Sequence, residues 1–236
     1  MNTFTYNGVS SKTYKCLVSG EDAWAKPAPD LEHVVVPGRN GDLIINNKRY
    51  QNVDVVYHCI IKKEFPANYQ GLCTQLLKSP GYQRLEDSFH PDHYRMAVFD
   101  SSIEPEMLAL NKHGTFDLKF SCKPQMWLKS GEAAITYTSG AYLTNPTLFT
   151  AKPLIRIYGS GDITIAGRTV HVTNSTYSYV DIDSELEECY YGANNCNAMV
   201  TLKTNNEFPT LSPGSNWIGL GSGISRVVLT PRWWTI

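Results

Sequence analysis

Several features that would point to familiar activities are missing from this sequence. With 21 Lys and Arg against 22 Asp and Glu, its formal charge is −1, so it lacks the basic excess that a phosphate-binding surface needs. Nearly apolar runs such as Val53–Tyr57 are far shorter than the ~20 residues that cross a bilayer. The first residues contain no basic start followed by an apolar run, so no signal peptide is expected. We therefore expect a protein made in a cytoplasm, without nucleic-acid recognition and without a membrane span.

Sequence motifs for catalysis are also missing. The chain has no Gly-x-Ser-x-Gly, no phosphate-cradling glycine loop followed by Lys, and no His-Glu-x-x-His. The glycine-rich stretch Gly219–Gly223 has no Lys after it and no helical pattern, so it is interpreted as a turn between strands. We expect no enzymatic activity, no catalytic residues and no cofactor.

A metal site is conceivable at His90-Pro91-Asp92-His93, where two His and an Asp lie within four residues. However, a strand or turn containing Pro91 would not readily direct both rings at one ion, and no fourth ligand is evident. A solvated turn is the favoured interpretation, and no metal is predicted.

Two carboxylates on one strand face form a second candidate. Alternation places Asp181 and Asp183 on the same side, as in a glycosidase pair or a calcium loop. The Gly and Glu positions of an EF-hand loop are not matched. A solvent-facing strand edge is therefore favoured, where charges would also oppose edge-to-edge aggregation.

Among the six cysteines, Cys189 and Cys196 bracket a turn-forming loop and could face each other across the neck of a hairpin. They could form a disulfide or remain free thiols. Free thiols are favoured because a cytoplasm keeps thiols reduced. No Cys-x-x-Cys spacing suggests zinc.

Strand patterns dominate the first half of the chain. A hairpin is expected from about Leu31 to Ile45, with Asn40-Gly41 at its tip because both residues tolerate positive φ. One helix is predicted to begin near Pro66 and to end at Pro80-Gly81. Its buried face should carry apolar residues at helical spacing, namely Leu72, Leu76 and Leu77.

The second half alternates between short strands and Gly-, Asn- or Ser-rich turns, which is typical of a β-sandwich. Between about Lys129 and Leu148 the apolar content falls, so we place a linker there. The prediction is a mainly β protein with an N-terminal domain, 1–135, and a C-terminal domain, 136–236. The first should be a β-sandwich or split barrel with one helix and a projecting hairpin.

Five segments, in this order, resemble the distal tail proteins of long, non-contractile-tailed phages. They are the Pro-Gly-Arg-x-Gly hairpin in Val36–Leu43, the strand Leu118–Gln125, the strand and Gly-x-Gly turn in Pro153–Ile163, the mid-domain strand Tyr179–Glu185, and Phe208–Ile218 with its Phe-Pro-x-Leu.

The resemblance implies a structural virion component at the tail tip. Hexameric rings would join the tail tube and tape-measure protein to the tail-tip hub and receptor-binding proteins. The second domain would be a galectin-like β-sandwich. Arg39, Asn40 and Gly41 of the hairpin are the candidate oligomer-contact residues, because the guanidinium fork of Arg39 suits pairing with a carboxylate of a neighbouring subunit.

An alternative function is a carbohydrate-binding module that contacts the host cell wall. Trp217 is the candidate stacking residue, since an aromatic face can pack on the C–H surface of a sugar. A Trp near a chain end more often fills a core or an interface.

Overall fold

A computed structural model describes residues 2–108 and 112–236. Contacts between Cα atoms divide it into two compact units, one up to residue 126 and one spanning 127–235. The division lies before the expected boundary at 135/136, and it falls within a strand. Each unit has its own hydrophobic core.

The first unit is built from strands and a helix. In chain order these are β1 (Phe4–Tyr6), β2 (Val9–Ser10), β3 (Cys16–Ser19), β4 (Pro29–Val34), β5 (Leu43–Tyr50), β6 (Val53–Ile61), α1 (Phe65–Leu77), β7 (Gln83–Asp87), β8 (His93–Val98), β9 (Glu106–Leu108) and β10 (His113–Leu128). Short 3-10 turns occupy Ser11–Tyr14 and Glu21–Trp24. The main sheet follows the order β2-β1-β7-β8-β10-β6-β3, and β9 pairs with β10.

Strict alternation explains how this sheet covers its core. Every second residue of β6, from Val53 to Ile61, is buried, whereas those between are more accessible. Opposite them, Leu118 and Phe120 of β10 pair with Tyr57 and Val55. The rings of Tyr57 and Phe120 lie 5.9 Å apart, edge to face, a geometry that stabilises aromatic cores.

The predicted helix is confirmed as α1, with Pro66 in its first turn, where a missing N–H costs nothing. Leu72 and Leu76 are buried as expected, but Leu77 is 62% exposed. The expectation for Leu77 was wrong because successive helical residues point about 100° apart. No helix in the described part of the chain is long and apolar enough to span a bilayer.

The second unit is a β-sandwich. Its strands are β11 (Ile135–Tyr137), β12 (Ala141–Asn145), β13 (Leu154–Gly159), β14 (Gly161–Ile165), β15 (Arg168–Val172), β16 (Val180–Asp183), β17 (Glu188–Tyr191), β18 (Asn194–Asn195), β19 (Val200–Leu202), β20 (Gly214–Leu220), β21 (Ile224–Thr230) and β22 (Trp234–Thr235). Short 3-10 turns occupy Lys129–Glu132 and Asn197–Met199. One sheet, sheet 1, has the order β11-β21-β13-β16-β17-β18, and the other, sheet 2, has the order β12-β20-β14-β15-β19. Apolar side chains from both sheets form one core, including Ile155, Ile163, Val170, Ile218 and Leu229.

The segment predicted to be a linker is part of this sandwich. β11 pairs with β21, and β12 pairs with β20. The N–H of Leu128 donates to the carbonyl oxygen of Trp233 at 2.9 Å, and that of Arg232 donates to Gly131 at 2.9 Å. Low apolar content here reflects two edge strands rather than a flexible connection.

Two turns that carry the chain between the sheets touch at backbone level. The chain passes from β13 to β14 through Ser160, and returns from β20 to β21 through Gly223. A Cβ on Gly159 would lie 2.1 Å from the oxygen of Gly223, and one on Gly223 would lie 2.1 Å from that of Ser160. The N–H of Ser160 donates to Gly223 at 3.1 Å. Both glycines also have positive φ, so side chains are excluded twice.

Candidate functional site

The first candidate surface is the ribbon, defined as β4, β5 and the connecting loop 35–42. β4 and β5 pair with each other and, among the described residues, with no other strand. The turn lies at Pro37-Gly38, where the N–H of Arg39 donates to Val36 at 3.1 Å and Gly38 has φ +78°. Pro followed by a positive-φ Gly is the pattern of a type II turn.

This geometry corrects the expected hairpin tip. Gly41 has a positive φ of 80°, but Asn40 does not, so the two residues do not form the predicted two-residue turn. Asn40-Gly41 instead lies in the return half of a longer loop. Arg39, Asn40 and Gly41 are all exposed.

The ribbon is unusually apolar for an exposed element. Val35 is 77% exposed, and Ile44 is 55% exposed. Leu43 and Ile45 flank Ile44 on β5 and are each 43% exposed. Since successive strand residues point to opposite faces, aliphatic side chains are exposed on both sides of the ribbon.

The second candidate surface is the outer face of sheet 2. Trp217 on β20 pairs with Tyr142 on β12, and their rings lie 4.9 Å apart. Tyr142 is 71% and Trp217 41% exposed. A Cβ on Gly140 would lie 2.6 Å from the indole ring, and one on Gly219 would lie 2.8 Å from its Nε1. The indole therefore occupies space that these two glycines leave open.

A polar group lies on the same face. The hydroxyls of Thr164 and Thr169 are 2.9 Å apart across β14 and β15. The carboxylate of Asp162 lies 2.5 Å from Nδ1 of His171, and it accepts two hydrogen bonds from Lys203 at 2.7 and 2.8 Å. Hydrogen bonds from Lys203, then from His171, hold the pKa of Asp162 below its usual value.

Sequence reasoning missed a third surface, on the outer face of sheet 1. The guanidinium of Arg226 lies 3.9 Å from the centre of the Tyr158 ring, and that of Arg156 lies 4.0 Å from the Tyr179 ring. Tyr179 also contacts Tyr191, with ring centres 4.7 Å apart. The alternation Ile155-Arg156-Ile157-Tyr158 carried the signal, because it places Arg and Tyr on one face.

The predicted solvent-facing edge at Asp181 and Asp183 is wrong. β16 lies inside sheet 1, between β13 and β17, and the two residues are only 3% and 2% exposed. Arg156 donates to both oxygens of Asp181 at 2.8 and 2.9 Å, and Arg232 does so to Asp183 at 2.7 and 2.8 Å. Both carboxylates are engaged by guanidinium groups, as in a structural network rather than a calcium or acid–base site.

The interpretation of His90–His93 as a solvated turn also needs correction. The His90 side chain is only 10% exposed; its Nδ1 lies 3.0 Å from an oxygen of Asp87 and its ring 4.3 Å from that of Trp24. Burial lowers the pKa of His93. The described residues contain no cluster of three or more His, Cys, Asp or Glu side chains that could hold a metal ion.

The thiols of Cys189 and Cys196 are both free and buried. They stand at the neck of a hairpin, as expected, and the N–H of Cys196 donates to the carbonyl of Cys189 at 2.8 Å. Burial, together with the Cys196 thiol, raises the pKa of Cys189 to about 12. A thiol with so high a pKa has little thiolate and is a poor nucleophile.

Solved structures of phage tail components share this architecture. The crystal structure of SPP1 Dit (gp 19.1), described as a paradigm of the hub adsorption apparatus in phages infecting Gram-positive bacteria, matches with a TM-score of 0.75. The match covers 100% of both chains at 13% sequence identity. The chain has the SPP1 Dit fold.

Two structures of the phage p2 baseplate in its activated conformation, with Ca and with Sr, are more distant from this chain than SPP1 Dit. They match at TM-scores of 0.51 and 0.50 and 8% identity, over 97% of this chain and 97% and 98% of theirs. No family model and no curated protein matches the sequence. The similarity to SPP1 Dit confirms the predicted resemblance to distal tail proteins, and the mainly β fold class, across both units.

Proposed function

We propose that this chain is a structural virion component that forms a hexameric ring at the tip of a phage tail. The ring joins the tail tube and the tape-measure protein to the tail-tip hub and receptor-binding proteins. The chain is made in the host cytoplasm and resides in the virion. The fold shared with SPP1 Dit, a hub adsorption-apparatus protein, supports this role. So does the engagement of Asp181 and Asp183 by guanidinium groups, which favours a protein without enzymatic activity.

The exposed aliphatic surface of the ribbon is the main support for the proposed ring. A two-stranded hairpin is only marginally stable alone in water, and this one exposes Leu43, Ile44 and Ile45. Exposed contiguous aliphatic surface marks a protein interface. We assign it to contact with the next subunit. A contact between two different surfaces is heterologous, and it closes into a ring when the rotation between subunits allows.

Arg39 at the loop would add specificity to the ring contact. It is exposed, and it makes no ion pair with another residue in the described part of the chain. Its fork can bind a carboxylate of the neighbouring subunit through two hydrogen bonds. Asn40 and Gly41 present their backbone beside it.

The second unit provides a docking platform for other tail proteins. Tyr and Arg are enriched at protein interfaces because they combine large contact area with directed hydrogen bonds. The outer face of sheet 1 presents this combination at Tyr158, Tyr179, Arg156 and Arg226.

Native mass spectrometry and light scattering of the purified chain test the ring. The wild type should show a species of six times the chain mass, about 26.4 kDa each. Ile44→Ser should shift the population to smaller species, since it removes aliphatic contact area from the ribbon. Leu148→Ser is the matched control, because Leu148 is 88% exposed in the other unit.

Each result has a defined meaning. A strict monomer at high concentration, even when the tail neighbours are co-expressed, would overturn the ring. A hexamer that survives both Ile44→Ser and Arg39→Ala unchanged would remove the ribbon from the interface.

A further inference from the structure

We propose that the outer face of sheet 2 is an oligosaccharide-binding site, with Trp217 as its stacking platform. This activity goes beyond the ring-forming role, and it does not depend on it. The ligand would be a neutral, hydroxyl-rich pyranose chain.

Trp217 is held as a platform rather than left as a mobile surface side chain. Its indole lies over Gly140, which precedes β12, and over Gly219, two residues further along β20, where side chains would collide with it. Tyr142 packs against it at 60°, which limits its rotation. A ring fixed in this way contacts ligand with little loss of conformational freedom, the main advantage of preorganised binding. An exposed aromatic face complements the apolar C–H face of a pyranose.

The polar groups lie where a sugar chain leaving the indole would run. Gly219 pairs with Thr164, so the face beside the indole has no side chain on β20 and offers hydroxyls on β14 and β15. Beyond them, the Asp162 carboxylate is fixed by His171 and Lys203. Mixed donors and acceptors held by neighbours suit sugar hydroxyls, which donate and accept at once.

The dimensions favour a short oligosaccharide over a monosaccharide. The N–H of Ala166, the residue after β14, donates to the carbonyl of Trp217 at 2.9 Å. Asp162 lies on β14, four residues before Ala166, so it lies about 14 Å from Trp217 across and along the sheet. One pyranose ring cannot reach both ends of this distance.

Charge favours a neutral ligand. The Asp162 carboxylate is paired with the Lys203 ammonium, so the two charges offset each other on this face. A strongly acidic polymer would call for an unpaired basic cluster. A protein docking on the aromatic pair would have no need of the hydroxyl and Asp162 groups at the other end.

Saturation-transfer NMR and titration calorimetry on the full-length protein test the proposal. The probes are neutral trisaccharides built on glucose, galactose and N-acetylglucosamine. At least one should bind with a Kd of about millimolar or tighter, with saturation strongest at its ring C–H protons. Trp217→Ala should weaken binding at least about tenfold, and Trp217→Phe should retain most of it because the flat face remains.

Two further variants separate sugar binding from a loss of folding that Trp217→Ala could cause. Asp162→Asn should weaken binding and change the preference among the three sugars, whereas Tyr158→Ala, on sheet 1, should leave both unchanged. Absence of binding by all three probes at about 10 mM would overturn the proposal. Sugar binding by Trp217→Ala as tight as that of the wild type would also overturn the proposal. So would a Trp217→Ala variant that fails to assemble into virions while the wild type binds no sugar, because that result would assign the face to a protein partner. Monomer and ring should bind equally, so failure of the ring leaves this test intact.

Discussion

Two Arg–Asp ion pairs lie on the outer face of sheet 1, the face that in a sandwich usually contacts water. Asp181 and Asp183 point away from the core, yet Arg156 and Arg232 cover them. Bidentate pairs of this kind fix orientation as well as charge. Arg232 lies just before the chain end, so its pair with Asp183 ties that segment to the sheet.

The Asp183 pair should be visible in the pH dependence of stability. Burial alone would raise the pKa of Asp183, but the hydrogen bonds from Arg232 and from two backbone N–H groups outweigh it and the pKa is lowered. A lowered folded-state pKa stabilises the protein above the unfolded value of 3.8, and that contribution is lost as the pH falls through the folded value.

Asp183→Asn should therefore reduce the free energy of unfolding by about 3 kcal/mol near neutral pH, since it leaves Arg232 without its charge partner. The difference from wild type should shrink below about pH 4. Urea unfolding across this range measures it. Glu188→Gln is the control, because Glu188 is the exposed cross-strand neighbour of Asp183 and should change stability by less than about 0.5 kcal/mol. A difference in unfolding free energy between Asp183→Asn and wild type that stays constant with pH would contradict the role given to the Asp183–Arg232 pair.

Among the elements, the ribbon is where the chain is most accessible. Its loop 35–42 is almost entirely exposed and contains Arg39, a trypsin site. Residues 129–145 also contain a trypsin site, at Lys129, but most of that segment is paired in β11, β12 and a 3-10 turn. Exposed loop tips are nicked before paired strands.

Limited trypsin digestion of unassembled protein should first cut after Arg39, giving a fragment that begins at Asn40. Arg39→Gln should abolish this first cut without creating an early one at Lys129. Mass spectrometry of the earliest fragments decides between them. A first cut at Lys129 would restore the linker that the composition of 129–148 predicts.

The local sequence pattern predicted most strands and the helix, but it did not predict which strands pair with one another. The alternation of Ile155 with Arg156 and the spacing of Leu72 and Leu76 are enough to identify a strand and a helix face. Asn40-Gly41 misled because Pro37-Gly38, three residues earlier, forms the turn. β11 and β12 looked like a linker because edge strands need fewer apolar residues.

The candidate surfaces depend on contacts distant in sequence. Asp183 meets Arg232 across 49 residues, and no local pattern reports that pairing. Trp217 was recognisable as a candidate because it is aromatic, but the space under its indole is left by Gly140, which precedes β12 and is distant in sequence. The chemical character of a side chain follows from its residue type, whereas its burial and its hydrogen-bond partners depend on the topology of the fold.

At the scale of the whole molecule, the position of the division between the two units can be measured. The contacts that define the second unit begin before residue 136: the backbone of Leu128 and Gly131 hydrogen-bonds to that of Trp233 and Arg232, and Ile135 pairs with Leu229. A fragment that lacks them loses hydrogen bonds and part of the apolar core.

The fragment 127–236 should therefore unfold cooperatively and at a higher temperature than the fragment 136–236. Circular dichroism and calorimetry on the two fragments give the comparison, with the full-length chain as the reference. Equal stability would favour the boundary at 135/136, and an unfolded 127–236 would show that the second unit needs the first.

The glycine turns at Ser160 and Gly223 fasten the two sheets of the sandwich to each other at one corner. Two of the crossings between the sheets meet there, backbone against backbone. A force that separates the two sheets at this corner would first have to break the hydrogen bond from Ser160 to Gly223. The sandwich should therefore resist mechanical separation of its two sheets most strongly at this corner.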